Sequence, residues 1–346
     1  MRKCSLVLVS LIAVLCLLFE GCSFSDGKSE YLERNIFALD TYINLKVYGD
    51  IGEQSMEEAE DRIAELENFL SITVDGSDIS KINSSPDMPV KVSYDTVNVI
   101  NTALEISSVT DGALDISVYP VVELWGFTRD TQAVPRRSDL DKALNNVDWT
   151  KIFVDDENNS VCLEPDMKLD LGAVAKGYIA DQTAEFLKDA GTENAVLSFG
   201  GNIRTIGSKD GDNWQIGVKY PFTQDNFAVL SVGEISIVTS SIDQRNFEEG
   251  GKLYHHIIDP ATGYPADNGT VSVTVLCNDG AKADGLSTAL FVIGKDKAEQ
   301  LYQSVGGFEY IILDENNEAF VTDGLRETFS LTENYCNIDV NFVSRK

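Results

Sequence analysis

Apolar side chains recur in this chain at two periods, and the two do not alternate regularly. This limits the fold more than any other feature, because a doubly wound sheet needs strand and helix signals in βαβ succession. Residues 38–48 (ALDTYINLKVY) alternate as a strand. Met56, Ala59, Ile63, Leu66 and Leu70 then recur at helical spacing, with Ser55 and Glu58 placed as a capping box. A second helix is predicted over 94–108, with Ser93 as its N-cap and Val97, Ile100 and Leu104 facing inward. Residues 168–171 read as a strand that runs through Gly172 into a helix with Ile179, Thr183, Phe186 and Leu187 buried, ended by Gly191. Residues 195–199 form a strand stopping at Gly200-Gly201, 271–277 another strand, and 281–293 an apolar helix closed by Gly294. Together they predict an α+β domain on a mixed, largely antiparallel sheet with packed helices.

Four segments carry candidate chemistry. Tyr254-His255-His256-Ile257-Ile258-Asp259-Pro260-Ala261-Thr262-Gly263-Tyr264-Pro265 holds both histidines of the chain. Asp-Pro and Thr-Gly mark a tight turn leaving a strand, which would present His256, Asp259 and Thr262 at a sheet edge. The adjacent histidines would point to opposite faces. Taken alone, a structural turn with one packed histidine explains the segment equally well. Asp284 and Thr288, four residues apart on a helix, put a carboxylate and a hydroxyl on one face, hard oxygen donors suited to Mg²⁺. The plain alternative is an acid at a helix N-terminus and a threonine bonding back to the preceding turn. Asp170-Leu171-Gly172-Ala173-Val174-Ala175-Lys176-Gly177-Tyr178 is a strand, glycine and helix start, a geometry that offers backbone N–H groups to an anion. Lys176 in that first turn opposes the helix dipole, which makes sense if it faces a bound anion. Around Thr110-Asp111-Gly112-Ala113-Leu114-Asp115 small residues allow a ligand to approach, while Trp125 and Phe127 suit a core as well as a site.

The N-terminus bears on compartment. Arg2 and Lys3 precede an apolar run from Leu6 to Phe19, shorter than the ~20 residues of a membrane span and matching a secretory signal. Gly21-Cys22 resembles a lipobox, although Phe19 and Glu20 are atypical there, and an ordinary signal peptide with an incidental cysteine is the alternative. Residues 1–21 are thus expected to be a lipoprotein signal, with Cys22 lipidated. Residues 22–35 would be a polar tether and 36–346 one catalytic domain, outside the cytoplasm and anchored to the cell membrane. The net charge of −29 argues against a nucleic-acid partner. It also means that a phosphate ligand would need a metal, helix N-termini and a few placed cations. Besides Cys22, the residues after the signal contain Cys162, Cys277 and Cys336 and no CxxC, so neither a disulfide framework nor a cysteine metal site is indicated.

In this order the segments resemble the ApbE family of FAD:protein FMN transferases. The matching residues are Asp40-Thr41, 112–127, 170–178, Gly200-Gly201-Asn202, 256–265 and 283–289, spanning roughly 36 to 330. The resemblance implies that Asp284, Thr288 and the Ala173 carbonyl hold Mg²⁺, with Ser287 at a position that is acidic in some members. It implies FAD contacts from Leu39, Thr73, Ala113, Leu114, Asp115, Asp170, Lys176 and the Ile257-Ile258 backbone. His256 would sit near the pyrophosphate, Lys176 would take up charge developing on the transferred phosphoryl, and His256 or Asp259 would serve as a base. The implied reaction splits FAD and places FMN on a Thr or Ser hydroxyl of an acceptor flavoprotein, such as a subunit of a membrane redox complex, releasing AMP. Two positions depart from the family: Leu114 replaces the commoner Phe, and Thr73 replaces an aromatic that many members carry. Members without that aromatic include some that hydrolyse FAD, so a Mg²⁺-dependent FAD pyrophosphatase is one alternative and a non-catalytic flavin-binding lipoprotein another.

Overall fold

The computed structural model describes residues 31–49, 52–129 and 131–345. The signal-like run, Cys22 and residues 23–30 lie outside the described residues. Residues 31–35, expected as the end of the tether, instead begin the first strand, and a compact unit starts at Tyr31.

Nine strands form one sheet in chain order: β1 (Tyr31–Ala38), β2 (Thr41–Tyr48), β3 (Asn194–Phe199), β4 (Asn202–Ile206), β5 (Ser236–Ser241), β6 (Thr270–Cys277), β7 (Phe308–Asp314), β8 (Glu318–Thr322) and β9 (Asp339–Val343). Every neighbouring pair is antiparallel except β8 and β9. The expected α+β class with a largely antiparallel sheet is what the chain forms. Because β1, β3 and β5 run the same way, the turns that follow them all lie at one end of the sheet. That end carries the cavity described below.

Strand periodicity splits the core in two. In β7, Tyr310 and Ile312 pack into a core shared with the helices, while Ile311 and Leu313 pack into a core on the opposite face. The helical face is built by α1 (Glu53–Leu70), α2 (Tyr94–Val109), α3 (Ala175–Asp189) and α4 (Gly280–Ser304). The other face is covered by a three-stranded sheet of Trp214–Lys219, Asn226–Val232 and Phe329–Leu331. A third cluster gathers around fully buried Trp125, whose indole N–H donates to the Gly263 carbonyl at 2.8 Å. That bond ties two segments 138 residues apart in sequence.

Several local expectations change. The strand predicted over 38–48 is broken by a two-residue turn at Leu39 and Asp40, both in the left-handed region at φ +55° and +54°. Hydrophobic alternation continues across such a turn, so the pattern does not reveal it. The capping box is not formed: α1 starts at Glu53 behind Gly52, which leaves Ser55 already inside the first turn. The five apolar residues assigned to that helix are all buried. Ser93 does cap α2, accepting from the Thr96 N–H at 3.1 Å. Residues 168–171 make only one isolated bridge, Lys168 with Val118, and are otherwise held by Asn83 and the Ile116 carbonyl. Gly294 does not end its helix but breaks α4, which then resumes to Ser304. The carbonyls of Phe291 and Val292 beside the break accept from the Asn268 amide at 2.9 and 3.0 Å.

Candidate active site

A cavity of about 500 Å³ opens at the turn end of the sheet. Its walls bring together Leu39, Thr73, Ala113, Leu114, Asp115, Asp170, Ala173, Lys176, His256, Ile257, Ile258, Asp284 and Thr288. Segments scattered over 250 residues of sequence therefore converge on one space. Two residues named beforehand do not line it, Ser287 and Asp259.

The deepest corner lies where α3 meets α4. Asp284 is buried, and its carboxylate accepts from the Gly177 N–H at 2.9 Å and the Asn202 side-chain amide at 3.0 Å. Lys176 Nζ stands 3.8 Å from the same carboxylate and donates to the Gly172 carbonyl at 3.0 Å. Burial pushes the Asp284 carboxyl above its ordinary range, and the Lys176 charge pulls it back. Gly177 is required here, since a Cβ would collide with the Gly280 carbonyl and approach Asp284 Cβ to 2.9 Å. Asp170 is likewise raised by burial and opposed by the Gly172 N–H, which it accepts at 2.8 Å, and by the charges of Lys176 and Arg245.

A divalent cation fits this corner. Asp284, Thr288 and Ala173 offer a carboxylate, a hydroxyl and a carbonyl on one cavity wall, all hard oxygen donors. Among the described residues there is no group of three or more His, Cys, Asp or Glu side chains able to hold a metal. A cation here would thus have few protein ligands and keep positions open for phosphate oxygens. Ser287 stands behind the wall: its hydroxyl donates to the Asp284 carbonyl at 2.8 Å and pairs with Ser240 Oγ at 2.7 Å. Ser240 in turn reaches Thr288 Oγ1 at 3.4 Å and belongs to the wall.

The two histidines separate as their spacing requires. His255 turns into the core, with Nε2 3.0 Å from the Ala266 carbonyl and its ring edge-on to Phe291. His256 faces the cavity, and its buried Nδ1 has no hydrogen-bond partner among the described residues. Burial, reinforced by the charges of Arg245 and His255, pushes its pKa down to about 3, so the ring is neutral near pH 7. The strand that delivers them, Lys252–His255, pairs only with Asn246–Glu249 in a separate hairpin, not with the main sheet. Asp259 is engaged in its own turn, accepting from the Ala261 N–H at 2.9 Å and the Thr262 hydroxyl at 3.0 Å. Of the two residues expected as a base, His256 lines the cavity and Asp259 does not.

The remaining walls are held by polar contacts within loops. Asp115 accepts from Ser117 N–H and Oγ and from Trp149 N–H, which fixes the loop that presents Ala113 and Leu114. Leu39 is held in its left-handed conformation by Glu67, whose carboxylate accepts the Leu39 N–H at 2.7 Å. Thr73 lies at the rim with its hydroxyl 2.9 Å from Ser71 Oγ. Sequence reasoning missed Ser240, near the end of β5, and Gln244 and Arg245 just beyond it, all of which line the cavity. The run Thr239-Ser240-Ser241 before an arginine was the available signal, but no spacing ties it to the other segments.

Comparison with known proteins identifies the family. The ApbE family pattern matches residues 39–312. An FAD:protein FMN transferase of Klebsiella pneumoniae is 34% identical over 272 residues, covering 78% of this chain and 84% of its own. One from Haemophilus influenzae is 34% identical over 294 residues, covering 81% and 84%. The crystal structure of the ApbE protein of Thermotoga maritima superposes with a TM-score of 0.78 at 33% identity, covering 90% of this chain and 99% of that one. This chain is a transferase and belongs to the ApbE family.

Proposed function

We propose that the chain cleaves FAD and transfers its FMN half to a Thr or Ser hydroxyl of an acceptor flavoprotein, releasing AMP. The observation that carries this reading is the α3–α4 corner, where a buried carboxylate, a lysine and further hard oxygen donors share one wall with a neutral histidine. FAD is supported as substrate by the names of the relatives. Phosphoryl transfer asks the protein to position groups and neutralise charge more than to react covalently. Mg²⁺ held by Asp284, Thr288 and the Ala173 carbonyl would supply charge neutralisation at the pyrophosphate. Lys176 and the α3 N-terminus face the charge that develops on the transferred phosphoryl. His256, whose Nδ1 has no hydrogen-bond partner among the described residues, has hydrogen-bonding capacity left for substrate or for the proton of the attacking hydroxyl.

Hydrolysis is the second reading, and Thr73 favours it. A small hydroxyl residue at the rim leaves room for water where an aromatic ring would close the wall. Incubating the protein with FAD, Mg²⁺ and an acceptor domain, then looking for flavin fluorescence on the denatured acceptor, tests the proposal. Covalent flavin on the acceptor supports transfer; AMP release with no labelled acceptor would replace it with pyrophosphatase activity. We further propose that Cys22 carries a diacylglycerol anchor that holds the enzyme outside the cytoplasm, beside acceptors in membrane redox complexes. The supporting features are Arg2, Lys3, the short apolar run and Gly21-Cys22. Cys22→Ala should leave the membrane fraction or retain its signal, and an unmodified mature chain starting elsewhere would contradict the anchor.

A further inference from the structure

The charges on the cavity wall do not balance for an anionic ligand. Four carboxylates, Asp40, Asp115, Asp170 and Asp284, face two cations, Lys176 and Arg245, and His256 is neutral. A pyrophosphate diester adds two further negative charges, and a single divalent cation offsets only part of the sum. Lys176 is also partly spent, since its ammonium is tied to the Gly172 carbonyl and lies beside Asp284. Arg245 is placed differently. It follows β5 in a loop whose backbone is fixed, with its carbonyl accepting the His256 N–H at 3.0 Å and the neighbouring Gln244 amide donating to the Thr239 carbonyl at 3.1 Å. Among the described residues no carboxylate lies within ion-pairing distance of its guanidinium, in a chain with 56 acidic side chains. Its charge is nevertheless felt inside the cavity, by Asp170 and by the His256 ring.

An exposed arginine in so acidic a chain would ordinarily find a surface carboxylate. One that lines the cavity without such a partner keeps all its donors for a ligand. We propose that Arg245 binds the pyrophosphate of FAD from the cavity mouth and stabilises the AMP that leaves. This rests on the transferase reading given above. In that reaction the acceptor oxygen bonds to the FMN-side phosphorus, and the bond from that phosphorus to the bridging oxygen breaks. The electron pair goes to AMP, which gains a negative charge, and the hydroxyl proton departs to base or solvent. Lys176 serves the inner side, next to Asp284. Arg245, the cavity cation with no carboxylate partner, meets the charge arriving on the outer side.

Calorimetric titration of the full chain with Mg²⁺ and ADP, AMP or riboflavin tests this for wild type, Arg245→Ala and Arg245→Lys. ADP carries the pyrophosphate without the flavin, and riboflavin the flavin without phosphate. Arg245→Ala should weaken ADP and AMP about tenfold, as for loss of one charged hydrogen bond, and leave riboflavin unchanged. Arg245→Lys should recover part of the loss, because the charge returns without the planar fork. In turnover, Arg245→Ala should lower kcat as well as raise KM for FAD. Unchanged ADP affinity would overturn the proposal, and so would a parallel loss of riboflavin binding, which would mark a role in shaping the loop. A wild type that binds ADP yet releases no AMP from FAD in the presence of an acceptor domain contradicts the transferase reading alone, since the ADP comparison still decides Arg245.

Discussion

The cavity has two walls made in different ways. One is built on helices: Lys176 and Gly177 in the first turn of α3 and Asp284 near the start of α4, where the carboxylate is buried and held by two donors. The other is built on turns: Leu39-Asp40 after β1, and Arg245 and His256 on either side of the short hairpin. In the helical wall charge is fixed by packing, so its chemistry depends on α3 and α4 approaching closely at glycine. In the turn wall position is set by single hydrogen bonds and backbone strain, and the side chains keep unspent capacity. The metal and pyrophosphate corner of the proposed function would depend on the first kind of precision.

If the helical wall carries the catalytic charge, Lys176→Ala should give the largest effect. Loss of a cation aimed at developing phosphoryl charge should cost about 2–4 kcal/mol of transition-state stabilisation, with turnover down two to three orders of magnitude. Melting should fall modestly, because the buried Asp284 carboxylate loses the charge beside it, and a fully active variant would return Lys176 to an ordinary structural charge. Gly177→Ala probes the same wall through packing. The added methyl meets the Gly280 carbonyl, so stability should fall by about 1–3 kcal/mol in denaturant titration, and FAD turnover with it as Asp284 shifts. A neutral result would show that the helices have slack and that their close approach matters little.

The turn wall should respond more weakly. His256 is held neutral with a pKa near 3, against an ordinary value of 6.5. Its folded pKa is depressed, so the stability it contributes is complete above about pH 6.5 and is lost as pH falls toward 3. Compared with His256→Gln, wild type should lose up to about 2 kcal/mol between pH 7.5 and pH 5. Equal acid profiles for the two proteins would mean that the ring is less buried than it stands here. Leu39→Gly should give the smallest change. Removing a side chain from the left-handed region relieves about 1 kcal/mol, partly offset by the greater freedom of glycine when unfolded. Thermal melting should therefore stay level or rise slightly, and a large drop would show that Leu39 packing outweighs its strain.

The same division governs what could be read from sequence. Helical spacing alone puts Met56 through Leu70 in one buried face, and a four-residue step puts Asp284 and Thr288 together. Both signals lie within one element and survive folding. The turn at Leu39-Asp40 was hidden because apolar alternation runs straight through it. Ser55 and Glu58 had the letters of a capping box but sit inside the helix, because the chain enters it at Gly52. The sequence marks the turn at Asp259 but not that its carboxylate accepts from Ala261 and Thr262 within that turn. Arg245 gave only the hydroxyl run before it, with no spacing to the other segments, since its place in the cavity comes from the end at which β5 leaves the sheet. Sheet topology, not local pattern, decides that.

The measurement that bears most directly on the helical wall is an FAD titration by flavin fluorescence, with Mg²⁺ and with EDTA, for wild type, Asp284→Ala and Thr288→Val. A cation with few protein ligands and an anion facing an acidic cavity should each bind weakly alone and tightly together, a positive coupling of about 1–3 kcal/mol. Asp284→Ala should then weaken FAD in Mg²⁺ by roughly tenfold or more while changing it little in EDTA, and Thr288→Val should show the same pattern more mildly. Wild-type affinity for FAD that is indifferent to Mg²⁺ would contradict the metal role of this pair, and with it the assignment of the α3–α4 corner as the site of phosphoryl chemistry.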